Sequence, residues 1–209
     1  MYVPKQFRPA SEQAVQDFLA ESTFATLVTC HDGMPVATHL PVELVDEDKG
    51  PVFLTHMARA NPQWRQLADD HQALLIVEGP HAYVSPEYYD DTEVPTWNYI
   101  AAHVYGQLQV IEDADALLTL LKRQIVRNEA PRPCPVLPER YDEAFLRQSQ
   151  RGAVGLRLRI ERVEAAFKLS QNRSLQERDR LSMQFEGSDE VYTRALGAAM
   201  RESVAMTLE

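Results

Sequence analysis

The chain has 209 residues, 44% of them hydrophobic and 25% charged, with a formal net charge of −10. That suits one large domain with a real core. It excludes a transmembrane helix, since no apolar run approaches bilayer length. It also excludes a disulfide framework, since Cys30 and Cys134 stand alone, and it disfavours non-specific binding to nucleic-acid phosphates.

The first stretch, "MYVPKQFRPA", has no apolar signal region, which points to the cytoplasm. Ser11 to Glu21 reads as a short helix. Ser11 is the N-cap, and Ala14, Val15, Phe18 and Leu19 fall on one face. "TFATLVT" reads as a strand, "HDG" as a hairpin turn and "MPVATHLPVEL" as the returning strand. The prolines of that strand predict an edge or a bulge. "DEDKG" turns again into a third strand, "PVFLTHM". Asn61-Pro62 then opens a helix expected to run through Asp70.

"QALLIVEGPHAYVSP" and "WNYIAAHVYGQLQVI" read as the fourth and fifth strands. Asp113 to Asn128 is an amphipathic helix, and "APRPCPVLPER" a proline-rich connection. "AVGLRLRIERVEAAFKL" is a long alternating sixth strand. Ser174 and Glu177 form a capping box, and Ser188 to Thr207 is a last helix. About six antiparallel strands joined by short turns, with helices inserted, predict an α+β fold that is mainly β. A small closed barrel is the first reading and a sandwich the second. A parallel sheet is disfavoured, because the first turns are too short for crossovers.

Polar groups gather at strand ends. Thr55, His56 and Arg59 leave the third strand just before the expected helix N-terminus at Asn61-Pro62. A helix N-terminus, a guanidinium and a hydroxyl are the parts of a phosphate site. Alternatively Arg59 pairs with an acid and His56 simply packs. "ATHLP" offers strand backbone and His39 to a flat heterocycle, or is an ordinary strand with a surface histidine. In the fifth strand, Trp97, Tyr99, Ala101, His103 and Tyr105 share one face, and Asn98, Ile100, Ala102 and Val104 the other. The second face is the candidate barrel interior. The aromatic face then lies outside, under a helix, a ligand or a second subunit. Arg147 to Arg180 carries nine Lys or Arg against four acids. It reads as a solvated face or as a docking surface for an anion or acidic partner.

Five stretches, "MYVPKQF", "ATHLP", "HMARANPQW", "VPTWNYIAAHVYG" and "KLSQNR", occur in this order along the chain. Together they resemble the FMN-binding negative transcriptional regulator family, the PaiB-like proteins. Those are flavin-binding split β-barrels similar to pyridoxamine 5′-phosphate oxidase. The resemblance implies a barrel domain over residues 1–172, with 173–209 as its C-terminal helical extension. It also implies a homodimer with FMN at the subunit interface. Thr55, His56 and Arg59 would then hold the phosphate, with Asn61 as a further cofactor-binding residue. Thr38, His39 and Leu40 would run beside the ring. Trp97 and Asn98 would close the site, with Lys168 and Gln171 reaching it late in the chain. One departure is that Ala58 and Ala60 flank Arg59, where such barrels commonly carry serine and a further base.

Other classes fit less well. The six histidines show no HExxH spacing, so no metal is expected. No GxSxG marks a serine hydrolase. Haem in place of flavin, and an FMN-dependent oxidoreductase using NAD(P)H in place of a regulator, remain as alternatives. No helix-turn-helix is evident, so direct DNA contact is not expected from the charge.

Overall fold

A computed structural model describes residues 1–67, 71–90 and 94–208. Six strands form a closed barrel: β1 (Phe24–His31), β2 (Met34–Glu47), β3 (Gly50–Ala58), β4 (His71–Val84), β5 (Thr96–Ile111) and β6 (Ala153–Lys168). Their order is β1-β2-β3-β6-β5-β4. Among the described residues there are five α-helices: α1 (Glu12–Glu21), α2 (Ala114–Glu129), α3 (Glu143–Gln150), α4 (Leu175–Glu186) and α5 (Val191–Leu208). None is long and apolar enough to cross a membrane.

The chain is organised as two units. One contains residues 20–76 and 104–163, the other 1–19, 77–103 and 164–209. Strands β4, β5 and β6 contribute to both.

In the first unit the β1–β2 hairpin turns at Asp32 and Gly33, with φ of 49° and 78°. Positive φ at both central residues suits the twist of flanking strands, and Asp-Gly tolerates it. Residues 34–41 of β2 pair with β1, and 42–47 with β3. Pro35 and Pro41 therefore sit where the register gives the strand one partner, as their missing N–H requires. Leu27, Leu40, Val42, Phe53, Leu75, Leu108, Leu156 and Leu158 are buried almost completely. Helix α2 is capped by Asp113, whose carboxylate accepts from the Ala116 N–H at 2.7 Å. It buries Leu117, Leu118 and Leu120.

The second unit has its own core. Ala82, Val84, Tyr89, Ile100 and Leu169 pack with Leu181, Phe185, Leu196 and Met200 of the C-terminal helices. The α4 capping box forms as the sequence predicts, with Ser174 and Glu177 bonding reciprocally. Ser11 likewise caps α1, accepting from the Ala14 N–H at 3.1 Å. Along β5 burial alternates as expected: Asn98, Ile100, Ala102 and Val104 are buried, while Trp97 is exposed.

Two features depart from expectation. The helix expected from Asn61 through Asp70 is a 3₁₀ turn, Pro62–Gln66, and Leu67 is already extended with ψ of 121°. Residues 68–70 lie outside the described residues. The turn stays short because Gln63 is drawn wholly inside, away from any helical apolar stripe. The second is α3, which the proline-rich reading of this region passes over. Asp142 caps it, accepting from the Ala144 N–H at 2.7 Å.

Candidate functional site

The turn after β3 is tied to β2 through side chains. Asn61 accepts from the Gln63 N–H at 2.9 Å and donates its Nδ2 to the Thr38 hydroxyl at 2.9 Å. Thr38 in turn donates to Gln63 Oε1 at 2.5 Å. Gln63 Nε2 donates to the Thr29 hydroxyl at 3.0 Å and the Val36 carbonyl at 3.1 Å. This network fixes the turn against the "ATHLP" stretch. Gln63 is its hub, and it lies within the "HMARANPQW" motif without any periodic or charge signal to single it out.

Outside that hub lies a basic pair. Arg59 and Arg65 both stand over the Trp64 ring, at 5.7 and 5.3 Å from its centroid. Arg59 also donates Nε to the Arg151 carbonyl at 2.8 Å and Nη2 to the Ala153 carbonyl at 2.9 Å. Among the described residues neither arginine meets a carboxylate, and backbone carbonyls hold Arg59. Nη1 of Arg59 takes no part in these bonds. His39 is exposed, hydrogen-bonded through Nδ1 to Thr26 at 2.8 Å and stacked on Phe24. Alternate residues of 34–41 point their backbone groups away from β1, which leaves a strand edge for a flat ligand.

Other predicted residues are placed differently. Thr55 is 1% exposed and donates to the Pro41 carbonyl at 2.6 Å. By strand alternation it faces the barrel interior, so its hydroxyl braces β2 on β3 instead of meeting a phosphate. Leu40 is a core residue, and its backbone is paired with Ala25 of β1 instead of turning to the free edge. His56 Nδ1 bonds Gln124 Oε1 at 2.7 Å. Burial holds its imidazole below the ordinary value, and the bond to Gln124 only partly opposes this.

His56 instead lines a cavity of about 720 Å³ walled by β3, α2, α3 and the connection between those helices. Gln124 and Gln150 also line it, 5% and 8% exposed.

In the other unit, Trp97 is 54% exposed, with Tyr83 edge-on to it at 5.9 Å. His81 lies 6.4 Å from Trp97 and stacks on Tyr192 at 5.0 Å. These rings form an exposed aromatic patch. Asn98, by contrast, is fully buried and donates to Ser170 at 2.8 Å and to the Met200 sulfur at 3.7 Å. It supports the turn at Ser170, whose φ is 61°. It does not close a surface site, because it sits on the interior face of β5. Gln171 folds back on the Leu169 N–H and the Phe167 carbonyl, so it braces the end of β6. Lys168 donates to Thr96, lies 5.6 Å from the Phe7 ring, and has its pKa lowered by burial.

In the basic segment 147–180, four arginines pair with carboxylates. Arg147 pairs with Asp115 and Glu143, Arg157 with Glu47, Arg159 with Glu161 and Arg180 with Asp90. No cluster of metal-ligating side chains occurs among the described residues.

A closed six-stranded antiparallel barrel with helices inserted between its strands defines a split-barrel protein. Two solved structures share this fold. The FAD and haem binding protein of Mycobacterium smegmatis aligns with a TM-score of 0.54 at 18% identity, over 77% of this chain and 72% of that one. A conserved hypothetical protein of Mycobacterium tuberculosis aligns with 0.57 at 16% identity, over 83% and 94%. The chain belongs to the family described as "Putative FMN-binding domain", whose model matches residues 1–162. It is 38% identical over 174 residues to the Bacillus subtilis relative "Protease synthase and sporulation protein PAI 2", covering 83% of this chain and 84% of the relative.

Proposed function

We propose that this chain binds FMN as a homodimer and acts in the cytoplasm as a negative regulator of gene expression of the PaiB-like kind. The observation that carries the FMN reading is the Arg59–Trp64–Arg65 cluster beside the Thr38–Asn61–Gln63 tether, in a chain of the FMN-binding family. Two exposed guanidiniums that meet no carboxylate among the described residues suit a phosphate dianion on an otherwise acidic protein. The β2 edge, with the backbone of Ala37 and His39, suits a flat heterocycle. The residues present therefore fit the group, although Thr55, His56, Asn98 and Gln171 have other commitments.

FMN, when bound, supplies reversible electron transfer. The chain holds the phosphate with Arg59 and Arg65, keeps the turn rigid through Gln63, and offers the strand edge for the ring. The aromatic patch of Tyr83, Trp97 and Tyr192 supports a dimer, since aromatics this exposed are costly to leave in water. The regulator reading is supported by the name of the Bacillus subtilis relative, which refers to protease synthesis and sporulation. A second reading, an oxidoreductase taking electrons from NAD(P)H, is favoured by the cavity beside β3, which would offer room for another small molecule.

The test is the visible spectrum of the purified protein with and without added FMN, then with NAD(P)H, alongside sedimentation. A flavin spectrum on a dimer supports the proposal. Failure to retain FMN, or a monomer at micromolar concentration, overturns it. Rapid bleaching by NAD(P)H favours the oxidoreductase.

A further inference from the structure

His56 lines the cavity beside β3, and only one of its ring nitrogens is bonded among the described residues. That nitrogen is Nδ1, held to Gln124 Oε1 at 2.7 Å. An amide oxygen only accepts, so Nδ1 carries the proton and Nε2 the lone pair. Burial keeps the imidazole uncharged at neutral pH. Nε2 is therefore an acceptor, and it is the ring nitrogen left for a molecule in the cavity. The walls are mostly apolar, with Met57, Leu118, Leu121 and Ile125 among them. Tyr141 adds an aromatic side, stacked on Phe145 with centroids 5.7 Å apart. Lys122 and Glu129, also on the lining, are opposite in sign, so the space favours neither an anion nor a cation. The volume of about 720 Å³ lies in the usual range of small-molecule pockets, roughly 300–1,000 Å³.

We infer that this cavity binds an uncharged aromatic molecule with a hydroxyl donor, a phenol, whose O–H bonds to His56 Nε2 and whose ring lies among the apolar walls. A phenol suits an acceptor in such surroundings because it is flat, neutral and a donor. A carboxylate brings no proton to Nε2, and an ammonium loses its hydration against these walls. The inference is independent of the FMN reading, because the arginines assigned to the phosphate do not line this space.

The test uses the full chain near neutral pH and ligand-observed NMR with 2-naphthol, 2-methoxynaphthalene and 2-naphthoate. 2-Naphthol binds with a Kd of about 1 mM or tighter, as fragments of its size do. 2-Methoxynaphthalene has the same rings but no donor, and binds roughly tenfold more weakly. 2-Naphthoate is also weaker by at least roughly tenfold. His56→Phe keeps a flat ring and removes the acceptor. It lowers 2-naphthol to the level of 2-methoxynaphthalene and leaves the latter unchanged. The variant also strands Gln124 Oε1, so wild type carries a second measurement in case His56→Phe fails to fold. The ring-nitrogen NMR signal of His56 Nε2 moves with 2-naphthol and holds with 2-methoxynaphthalene. Equal binding of those two probes, no binding of 2-naphthol up to its solubility, or an Nε2 signal indifferent to 2-naphthol overturns the inference. FMN is titrated in the same samples. Displacement of 2-naphthol by FMN, with both ligands moving the Nε2 signal, assigns the cavity to the flavin and also overturns it. FMN failing to bind while 2-naphthol binds as stated leaves it standing.

Discussion

Gln63 Nε2 donates to the hydroxyl of Thr29 at 3.0 Å, and no part of Gln63 is exposed to solvent. That one bond joins the turn after β3 to the middle of β1. With the bonds to Thr38 and the Val36 carbonyl, it makes a buried polar network that is satisfied at each group named. Gln63→Ala opens a void and strands these partners. The expected loss is about 2–4 kcal/mol in urea unfolding. Thr29→Val keeps the volume and removes one partner, so it loses about 1 kcal/mol. Equal, small losses for both would show that solvent replaces the network at no cost.

Gly106 and Arg159 bring β5 and β6 closer than any side chain allows. A Cβ on Gly106 would lie 1.9 Å from the Arg159 carbonyl oxygen. The obstacle is backbone, so it cannot rotate away. Gly106→Ala is expected to lose about 3 kcal/mol or more, or to yield no folded protein. Gly187, at the end of α4, has its nearest neighbour at 3.5 Å and a φ of −78°. Gly187→Ala should be neutral or stabilising by up to about 1 kcal/mol. A melting comparison of the two variants checks both.

Most of the barrel is legible in the sequence because it rests on local signals. Asp32-Gly33 specifies its hairpin, Ser174 and Glu177 specify their cap, and alternation sorts the faces of β5 without error. The candidate site is legible only in part. Composition marks Thr55 and Asn98 as polar and near the right motifs, yet both are turned inward by strand parity and spend their hydrogen bonds there. Their direction depends on register, which one sequence leaves open. Gln63, Gln124 and Gln150 matter because of burial and partners, and glutamine carries no pattern that announces either. Helix α3 is missed because prolines dominate the segment before it, although Asp142 is a fair N-cap.

His56 makes stability pH-dependent. Burial holds its pKa below the unfolded value near 6.5. The unfolded chain therefore binds the proton first, and stability rises with pH in that interval. His56 contributes fully above about pH 6.5. Its contribution is lost as pH falls from there toward the folded pKa. His103, also lowered chiefly by burial, adds in the same direction. Urea midpoints measured from pH 7.5 to 5 should fall more steeply for wild type than for His56→Gln. Parallel curves would show that His56 is solvated as freely in the folded chain as in the unfolded one.

Arg59→Ala and Arg65→Ala should each weaken FMN much more than riboflavin, which lacks the phosphate. A charge-assisted contact contributes about 1.5–3 kcal/mol, or roughly tenfold to 150-fold in Kd. Arg59→Ala also gives up two bonds to backbone carbonyls, so its melting temperature should drop while that of Arg65→Ala holds. Isothermal titration with both ligands separates the cases. Equal losses for FMN and riboflavin would place the phosphate away from these arginines.

Tryptophan emission reports separately on the arginine pair and on the aromatic patch. Trp64 lies between Arg59 and Arg65 and donates its indole N–H to the Arg59 carbonyl at 3.0 Å. Trp97 stands half-exposed in the aromatic patch beside Tyr83. These are the chain's two tryptophans, so Trp64→Phe and Trp97→Phe each leave a single reporter. Phenylalanine keeps an aromatic face at each position, so both variants should fold. If FMN binds at the arginine pair of a dimer whose interface includes the patch, both reporters should lose emission saturably with the same Kd. Riboflavin should quench them in the same proportion but at higher concentration, because it lacks the phosphate. Constant Trp97 emission while FMN demonstrably binds would remove the patch from the flavin site. Its crowding of rings would then serve subunit contact alone, and a red-shifted Trp97 spectrum on dilution to monomer would be the remaining signal to measure.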